Sequence, residues 1–423
     1  MKIKRADLAV VGGGASGLTA ALAAARKAGR AGKRISVVLL EKNPRVGKKL
    51  LLTGNGRCNL SNRDADPAHY HGGPGAAVVL ERHPPDRVEK AFRELGLLCR
   101  ELDGGRVYPY SLQATSVLNV LRRNLGHAGA EEICDFSVEK IRAEDGGFLL
   151  ASGTGTLSAR AVVLACGGRA CPQSGSAGDG YALARALGHT VTPLFPSLVQ
   201  IRTDPARVRA LKGVRCPAEA AFLSDGHALR RTRGEVQFAD AALSGICVFE
   251  LSRCLGEIGA SKRAEISLDL MPEYGAQEIE SLLSDAAGTA PELPAARLTE
   301  GMLPKALGAE LAKYALGSAS APAASLSRGE LSGLAAAVKD FRFPALGTLS
   351  WERAQVTAGG VPLDELGENL ESKKRPGLFL CGELLDADGD CGGYNLRWAW
   401  ASGLTAGEAA ADFVTGARKE NRT

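Results

Sequence analysis

The most constraining feature is a run of three glycines, Gly12, Gly14 and Gly17, in G-x-G-x-x-G spacing. An apolar stretch, ADLAVV (residues 6–11), precedes it, and an alanine-rich stretch, GLTAALAAARKAG, follows and ends at Gly29. Glycine-rich turns alone are common. Placed between a buried strand and a helix, this one predicts a dinucleotide-binding βαβ unit. Gly12 permits the tight turn, Gly14 lets backbone approach a pyrophosphate, and Gly17 lets the helix press on the strand. The helix start, with Ala15 and Ser16, offers N–H groups to phosphates. A second apolar strand, ISVVLL (residues 35–40), ends at Glu41, where an acid would hold a ribose hydroxyl. The connection KAGRAGKRIS is long and delays Glu41 by a few residues relative to the usual spacing.

Beyond this unit, residues 86–99 and 114–129 read as helices, 147–165 as strand, turn and strand, and 178–188 as a helix that Asp179 could cap. From Pro193 the character changes. Residues 194–270 are β-like with turns, and 275–340 are alanine- and leucine-rich and helical. Ser327 and Glu330 have capping-box spacing before LSGLAAAVKD. Strands return at 354–361 and 377–382, and a last helix runs from about 396 to 415. No internal repeat stands out. The expected layout is a nucleotide-binding domain, 1–192 and 345–423, interrupted by an insert. The insert has a β-rich part, 193–272 with 341–344, and a helical part, 273–340.

At 423 residues the chain exceeds one ordinary core. Apolar residues make up 45% and charged residues 23%, as in globular proteins. The net charge of +5 from 52 basic and 47 acidic residues is too small to point to nucleic acid. No apolar run is long enough to span a membrane, and MKIKRADLAVV lacks a sensible cleavage site. A cytoplasmic protein with neither a nucleic-acid nor a membrane partner is expected. Ten cysteines contain no CxxC pair, so they read as reduced thiols rather than a disulfide framework. The six histidines show no metal-ligand spacing, no metal site is expected, and His69 and His71 read as part of a solvated glycine-rich loop.

Two further motifs carry chemistry. AVVLACGG (161–168), followed by GSAGDGYALA, reads as a strand returning to a cofactor domain. GLFLCGELLDADGDCGGYNLRWAWASG (377–403) places a strand end at Gly382–Glu383 and a glycine pair, Gly392–Gly393, at the mouth of a helix. Such a mouth is an anion site. DADGD looks like half of a calcium loop, but no bidentate glutamate follows at the required spacing. Trp398 and Trp400 read as core residues.

Together with EKNPRVGKKLLLTGNGRCNLSN and GRVYPYSLQATSV, these motifs make the chain resemble the BaiN-like and aminoacetone-oxidase-like family of bacterial FAD-dependent oxidoreductases. The resemblance covers nearly the whole chain, with GNGRCN and GGYN its most specific parts. It implies an α/β fold: a discontinuous Rossmann-like FAD domain of the two-dinucleotide-binding flavoprotein type with an inserted β-rich and helical domain. It implies bound FAD, NADH as electron donor and a small-molecule substrate. It places the 53–59 loop on the cofactor, with Arg57 facing the pyrophosphate or flavin edge and Asn55 and Asn59 holding the loop by side-chain hydrogen bonds. Cys58 reads as a packing residue.

The candidate FAD contacts are Gly12, Gly14, Ala15, Ser16, Gly17, Glu41, Lys42 and Lys49, then Thr53, Gly54, Asn55, Gly56, Arg57, Cys58 and Asn59. In the later motifs they are Ala165, Cys166, Gly167, Gly382, Glu383, Gly392, Gly393, Tyr394, Asn395 and Leu396. Arg57, Tyr108 and Tyr394 are the candidates for polarising a substrate carbonyl. The resemblance makes the expected reaction NADH-driven reduction of an enone C=C bond of bile-acid or steroid-like 3-oxo-Δ4,6 type, with hydride passing through flavin N5. The alternatives are an amine or aminoketone oxidase, a tRNA-modifying flavoprotein and a flavin sensor. One departure concerns the insert: where many members read closer to Phe-Thr-His and then Ser-Gly-Pro, this chain has Asp240 and Ile246, so no histidine role carries over.

Overall fold

A computed structural model describes residues 4–258 and 263–416. The charged C-terminal stretch ARKENRT (417–423) lies outside these residues. The chain divides into two compact units, Met1–Phe195 with Val356–Thr423, and Pro196–Gln355. The sequence reading put these breaks at 192/193 and 344/345.

The first unit is built on a seven-stranded sheet. Its strands are β1 (Lys4–Val11), β2 (Val37–Leu40), β3 (Glu131–Ile133), β4 (Lys140–Glu144), β5 (Gly147–Ser152), β6 (Gly155–Leu164) and β7 (Leu378–Leu380). The order is β3-β2-β1-β6-β5-β4, with β7 pairing the second half of β6. Contacts of β1 with β2 and β6, of β2 with β3 and of β6 with β7 are parallel, whereas β4, β5 and the first half of β6 form an antiparallel meander. Strands covered on both faces read as continuous apolar runs. Accordingly Leu8 to Val10 and Ala161 to Leu164 are fully buried.

Helix α1 (Ala15–Arg30) follows β1, and helix α2 (Tyr394–Thr415) lies against it. The contact is backbone to backbone. A Cβ on Gly403 would lie 2.6 Å from the Ser16 carbonyl oxygen, and one on Gly407 would lie 2.2 Å from that of Ala20. These glycines one turn apart are required by the crossing. Trp398 and Trp400 are buried as expected, their indole N–H groups donating to the carbonyls of Gly382 and Leu60 at 3.0 Å. Asp179 does not cap the helix Asp179–Ala186. Gly178 holds the cap position, and Asp179 pairs with Lys42 instead.

The second unit holds a six-stranded antiparallel sheet ordered Ile201–Arg202, Ala242–Ser244, His227–Ala239, Arg215–Ser224, Ala264–Asp269 and Phe341–Pro344. Its helices include Ala276–Thr289, Lys305–Leu316 and Arg328–Lys339, all within the stretch read as helical. The last opens on the expected capping box. The Ser327 hydroxyl accepts from Glu330 N–H at 3.3 Å, and Ser327 N–H donates to Glu330 at 2.8 Å. The stretch read as β-like holds a single helical turn at Pro205–Val208 and a longer helix, Ile246–Ile258. Its buried residues Cys247, Val248, Leu251 and Cys254 have helical spacing. Short apolar runs in a β-rich context do not reveal that period.

Candidate functional site

The three glycines of the first turn differ in what demands them. Gly12 adopts φ +108°, and its Cβ would lie 2.4 Å from the Ala165 carbonyl oxygen. A Cβ on Gly17 would sit 1.9 Å from the Gly12 carbonyl oxygen. Packing alone therefore explains both. Gly14 caps α1 in an extended conformation, and a Cβ there meets no atom within 4 Å. No side chain caps α1, so its first-turn N–H groups have no side-chain acceptor. An open face on Gly14 beside free helix donors fits a close-approaching anionic ligand. Glu41 follows β2 and is 8% exposed. Its carboxylate accepts from Gly13 N–H at 2.8 Å and from the backbone and side chain of Asn43 at 2.8 and 2.6 Å. The acid is thus tied to the glycine turn.

The loop after residue 49 winds as a tight helix interrupted at Thr53, and Gly54, Asn55 and Gly56 all take positive φ. Gly54 and Asn55 share the left-handed conformation that glycine and asparagine adopt most readily. Thr53 donates its hydroxyl to the Leu50 carbonyl at 2.7 Å. Asn55 is exposed and makes no side-chain hydrogen bond, and the Asn59 side-chain oxygen is buried without a partner. The expectation that Asn55 and Asn59 hold the loop by side-chain bonds therefore fails; the turn is held by backbone bonds, Arg57 N–H to Gly54 and Cys58 N–H to Thr53. Arg57 is exposed, with its guanidinium 5.6 Å from the centre of the buried Tyr108 ring. Cys58 and Cys166 are packing residues: burial pushes each thiol up to about 12. A nucleophilic or redox thiol needs the opposite shift.

Ala165, Cys166 and Gly167 continue β6 past the glycine turn, and Gly167 takes φ +73°. Beside β7, Gly382 packs on Ser16; a Cβ there would lie 2.3 Å from the serine hydroxyl. Glu383 is ion-paired with Lys49 at 2.7 Å and accepts from Thr357 N–H at 3.0 Å. Lys49 and Glu383 are 334 residues apart, so the two outer motifs meet.

At the mouth of α2, Gly392 and Gly393 take φ +121° and +108°. A Cβ on Gly393 would lie 2.4 Å from the Ser61 carbonyl oxygen and 2.8 Å from the unpartnered Asn59 oxygen. Asn62 donates to the Gly392 carbonyl at 3.0 Å, and Asn395 bonds back to Gly389 at 2.9 and 2.7 Å. Leu396 packs against the core. The helix has no side-chain cap.

Here the structure assembles a group that sequence reasoning left in a solvated loop. Tyr70–His71 pairs antiparallel with Asp388–Gly389. That ladder carries His69 against Tyr394, ring centres 4.3 Å apart and 21° from parallel. His69 Nδ1 lies 3.1 Å from Asp390 and Nε2 lies 3.0 Å from Asp64. Tyr70 meets the Tyr394 ring edge-on at 5.6 Å. Arg397, one turn into α2, is 2% exposed, and its Nε and Nη1 have no partner. Burial opposes charge on His69, but hydrogen bonds to Asp390 and Asp64 outweigh it and raise the pKa above the ordinary value. Of the other acids, Asp386 accepts from Thr192 at 2.9 Å. In the insert, Asp240 is exposed and pairs with Lys212 at 2.6 Å.

A glycine turn between β1 and α1, an acid after β2, a return strand and a second glycine-mouthed helix on α1 define a Rossmann-like FAD-binding fold. The model of the HI0933-like protein Rossmann domain family matches residues 6–409, and the chain belongs to that family. It is 37% identical over 409 residues to the 3-dehydro-bile acid delta(4,6)-reductase of Clostridium scindens, covering 96% of this chain and 99% of that one. It is 27% identical over 411 residues to the ribosomal RNA dihydrouridine synthase of Escherichia coli, covering 95% and 96%. Among solved structures, E. coli quinol fumarate reductase FrdA is similar in fold, with a TM-score of 0.50 and 17% identity, covering 100% of this chain and 72% of that one. Among the described residues no helix is long and apolar enough to cross a membrane.

Proposed function

We propose that this flavin-dependent oxidoreductase saturates a C=C bond conjugated to a carbonyl in a small organic molecule of the 3-oxo-Δ4,6 steroid or bile-acid type, working in the cytoplasm. The observation that carries the reading is similarity at 37% over 409 of the 423 residues, which leaves no room for the insert to be unrelated. When bound, the flavin supplies the hydride chemistry, from NADH and through N5 to the β-carbon of the enone.

The chain supplies position and charge. The first turn of α1 and the open face of Gly14 would hold the pyrophosphate, with Glu41 at the adenosine ribose. Lys49 and Glu383 would take the ribityl chain. The uncapped mouth of α2 at Gly392–Gly393 would stabilise negative charge at the pyrimidine edge. Tyr394, the first residue of α2, is the preferred group for polarising the substrate carbonyl. Tyr108 and Tyr394 are both buried, but Tyr108 lies beneath the exposed Arg57 whereas Tyr394 stands at the glycine mouth of α2, which makes Tyr108 and Arg57 the weaker candidates.

A second reading takes uridine in RNA as substrate. The similarity to ribosomal RNA dihydrouridine synthases favours it, and the chemistry is the same: the uracil C5=C6 bond is conjugated to a carbonyl. Against it, four exposed basic residues of the insert are paired with acids: Lys212 with Asp240, Arg215 with Glu235, Arg231 with Glu219 and Arg233 with Glu273. RNA binding rests on unneutralised Lys and Arg.

The test is an anaerobic visible spectrum of flavin-loaded protein before and after NADH, followed by a 3-oxo-4,6-diene or a uridine-containing RNA. Bleaching by NADH and recovery on the diene supports the proposal. Recovery on RNA alone supports the second reading. A flavin that NADH leaves untouched sinks both and returns the search to amine oxidation. Gly14→Val should abolish stoichiometric FAD binding while the unloaded protein keeps its Tm, because the added side chain meets only ligand space.

A further inference from the structure

We propose that His69 is the proton donor to the substrate in this reaction. The inference rests on the reductase reading above and deepens it, because saturation of an enone needs a proton at the α-carbon as well as a hydride at the β-carbon. Several observations at one place carry it. His69 has a carboxylate on each ring nitrogen, Asp390 at 3.1 Å and Asp64 at 3.0 Å. Carboxylates only accept, so both bonds are made only if both nitrogens carry protons, which is the imidazolium. The ring lies face to face on Tyr394, at the glycine mouth of α2. Its two edges differ: the Asp390 side chain is 10% exposed, whereas that of Asp64 is 57% exposed. The Nε2 edge is therefore the one a substrate can reach, displacing Asp64, while Asp390 keeps the ring in place.

The titratable groups on the elements packed here are Asp64 and Asp66 on the preceding loop, His71 beyond Tyr70, Asp388 and Asp390 on the facing strand, and Arg397 behind Tyr394. His71 Nε2 lies 3.7 Å from the second oxygen of Asp390. Arg397 attracts Asp64 and favours its charged form. Of these groups, Asp390 and Asp64 act directly on the ring and favour the imidazolium.

In the step, the His69 Nε2–H bond breaks and a C–H bond forms at the α-carbon, using the electron pair released there when hydride reaches the β-carbon. The neutral imidazole regains a proton from water at the Asp64 edge, and NADH is the net reductant.

Two measurements test this. In flavin-free protein, NMR titration of the His69 ring, assigned by its loss in His69→Gln, should give a midpoint above that of an ordinary histidine and a lower one in Asp390→Asn. A wild-type midpoint at or below the ordinary value overturns the proposal. In the holoenzyme, His69→Gln should lower kcat about a hundredfold. It should also remove the wild-type fall in kcat as pH rises through the His69 midpoint, while NADH still bleaches the flavin at the wild-type rate. A kcat within twofold of wild type, or an unchanged alkaline limb, overturns the assignment of His69. If wild-type flavin is not bleached, or bleaches without diene turnover, the reductase reading itself has failed. Should His69→Gln not fold, Asp64→Asn provides the titration in the free protein, with the midpoint and the alkaline limb of kcat/KM both moving to lower pH; no movement of either overturns the proposal.

Discussion

Two histidines in the first unit are each held by an acid, and they end in opposite states. His69 sits between Asp64 and Asp390 with its side chain 31% exposed, and its pKa is raised. His189 has a side chain with no exposure, bonded to Glu365 at 2.7 Å and to the Ser372 hydroxyl at 2.8 Å. Burial drives its pKa down despite the glutamate, and Lys374 adds to that. Glu365 feels burial too, but bonds from Lys374, Thr190 and His189 pull it down to about 2. The neutral His189 then donates from Nδ1 to Glu365 and accepts from Ser372 at Nε2. The arrangement has the look of a serine–histidine–acid triad, yet the Ser372 hydroxyl oxygen accepts from the N–H groups of Lys374 and Arg375. It is a turn staple, buried and already engaged. What separates the two centres is the second partner and the access: a second carboxylate and an open edge make a proton donor, whereas a hydroxyl and a sealed pocket make a strut.

The largest expected contrast is in turnover. His69→Gln should cut kcat about a hundredfold. His189→Ala should leave the kcat of folded protein within twofold, measured by steady-state reduction of a 3-oxo-4,6-diene. Equal losses in both variants would erase the distinction. The next contrast is in stability. His189→Ala removes one hydrogen bond each from Glu365 and Ser372, which keep their bonds from Thr190, Lys374 and Arg375, and leaves a cavity where the buried ring stood; it should cost about 2–3 kcal/mol. That corresponds to a fall in Tm of roughly 5–10 °C for a unit of this size. His69→Gln, at a partly exposed position, should shift Tm by no more than about 2 °C at neutral pH.

The smallest effect is its pH dependence, and the two centres have opposite signs. His69 has a raised folded pKa, so its contribution is complete below the ordinary histidine value and fades as pH rises through the raised one. His189 has a depressed folded pKa, so its contribution is present above the ordinary value and is lost as pH falls through the lower one. Glu365 adds to the acid side, losing its contribution as pH falls from the ordinary glutamate range toward 2. Thermal melts from pH 5 to 9 should therefore show the His69→Gln penalty largest in acid and the His189→Ala penalty largest near and above neutrality. The same trend in both would show that one of the two charge assignments is wrong.

The local units of the fold were legible because their signals are short-range. A buried parallel strand is a continuous apolar run, a phosphate turn needs glycine at set intervals, and a capping box spans four residues. Gly12, Gly14, Gly17, Glu41 and the opening of the helix at Ser327 could all be read this way. The helix Ile246–Ile258 was not, because its apolar residues fit either period over so short a run.

By itself, the sequence determined the βαβ unit, the return strand, the glycine mouth at 392–393, the existence of an insert and the family. Only the tertiary structure decided that Arg57 lies outward over Tyr108, that Lys49 meets Glu383, and that a loop histidine stands between two aspartates. His69 and Asp390 are 321 residues apart. They meet because the two-residue strands Tyr70–His71 and Asp388–Gly389 pair, and α2 begins just beyond. Strands that short leave no periodicity in the sequence. A pairing between distant segments is settled by how helices and sheet pack, so the state of His69 belongs to the packed unit rather than to the residues around it in the chain.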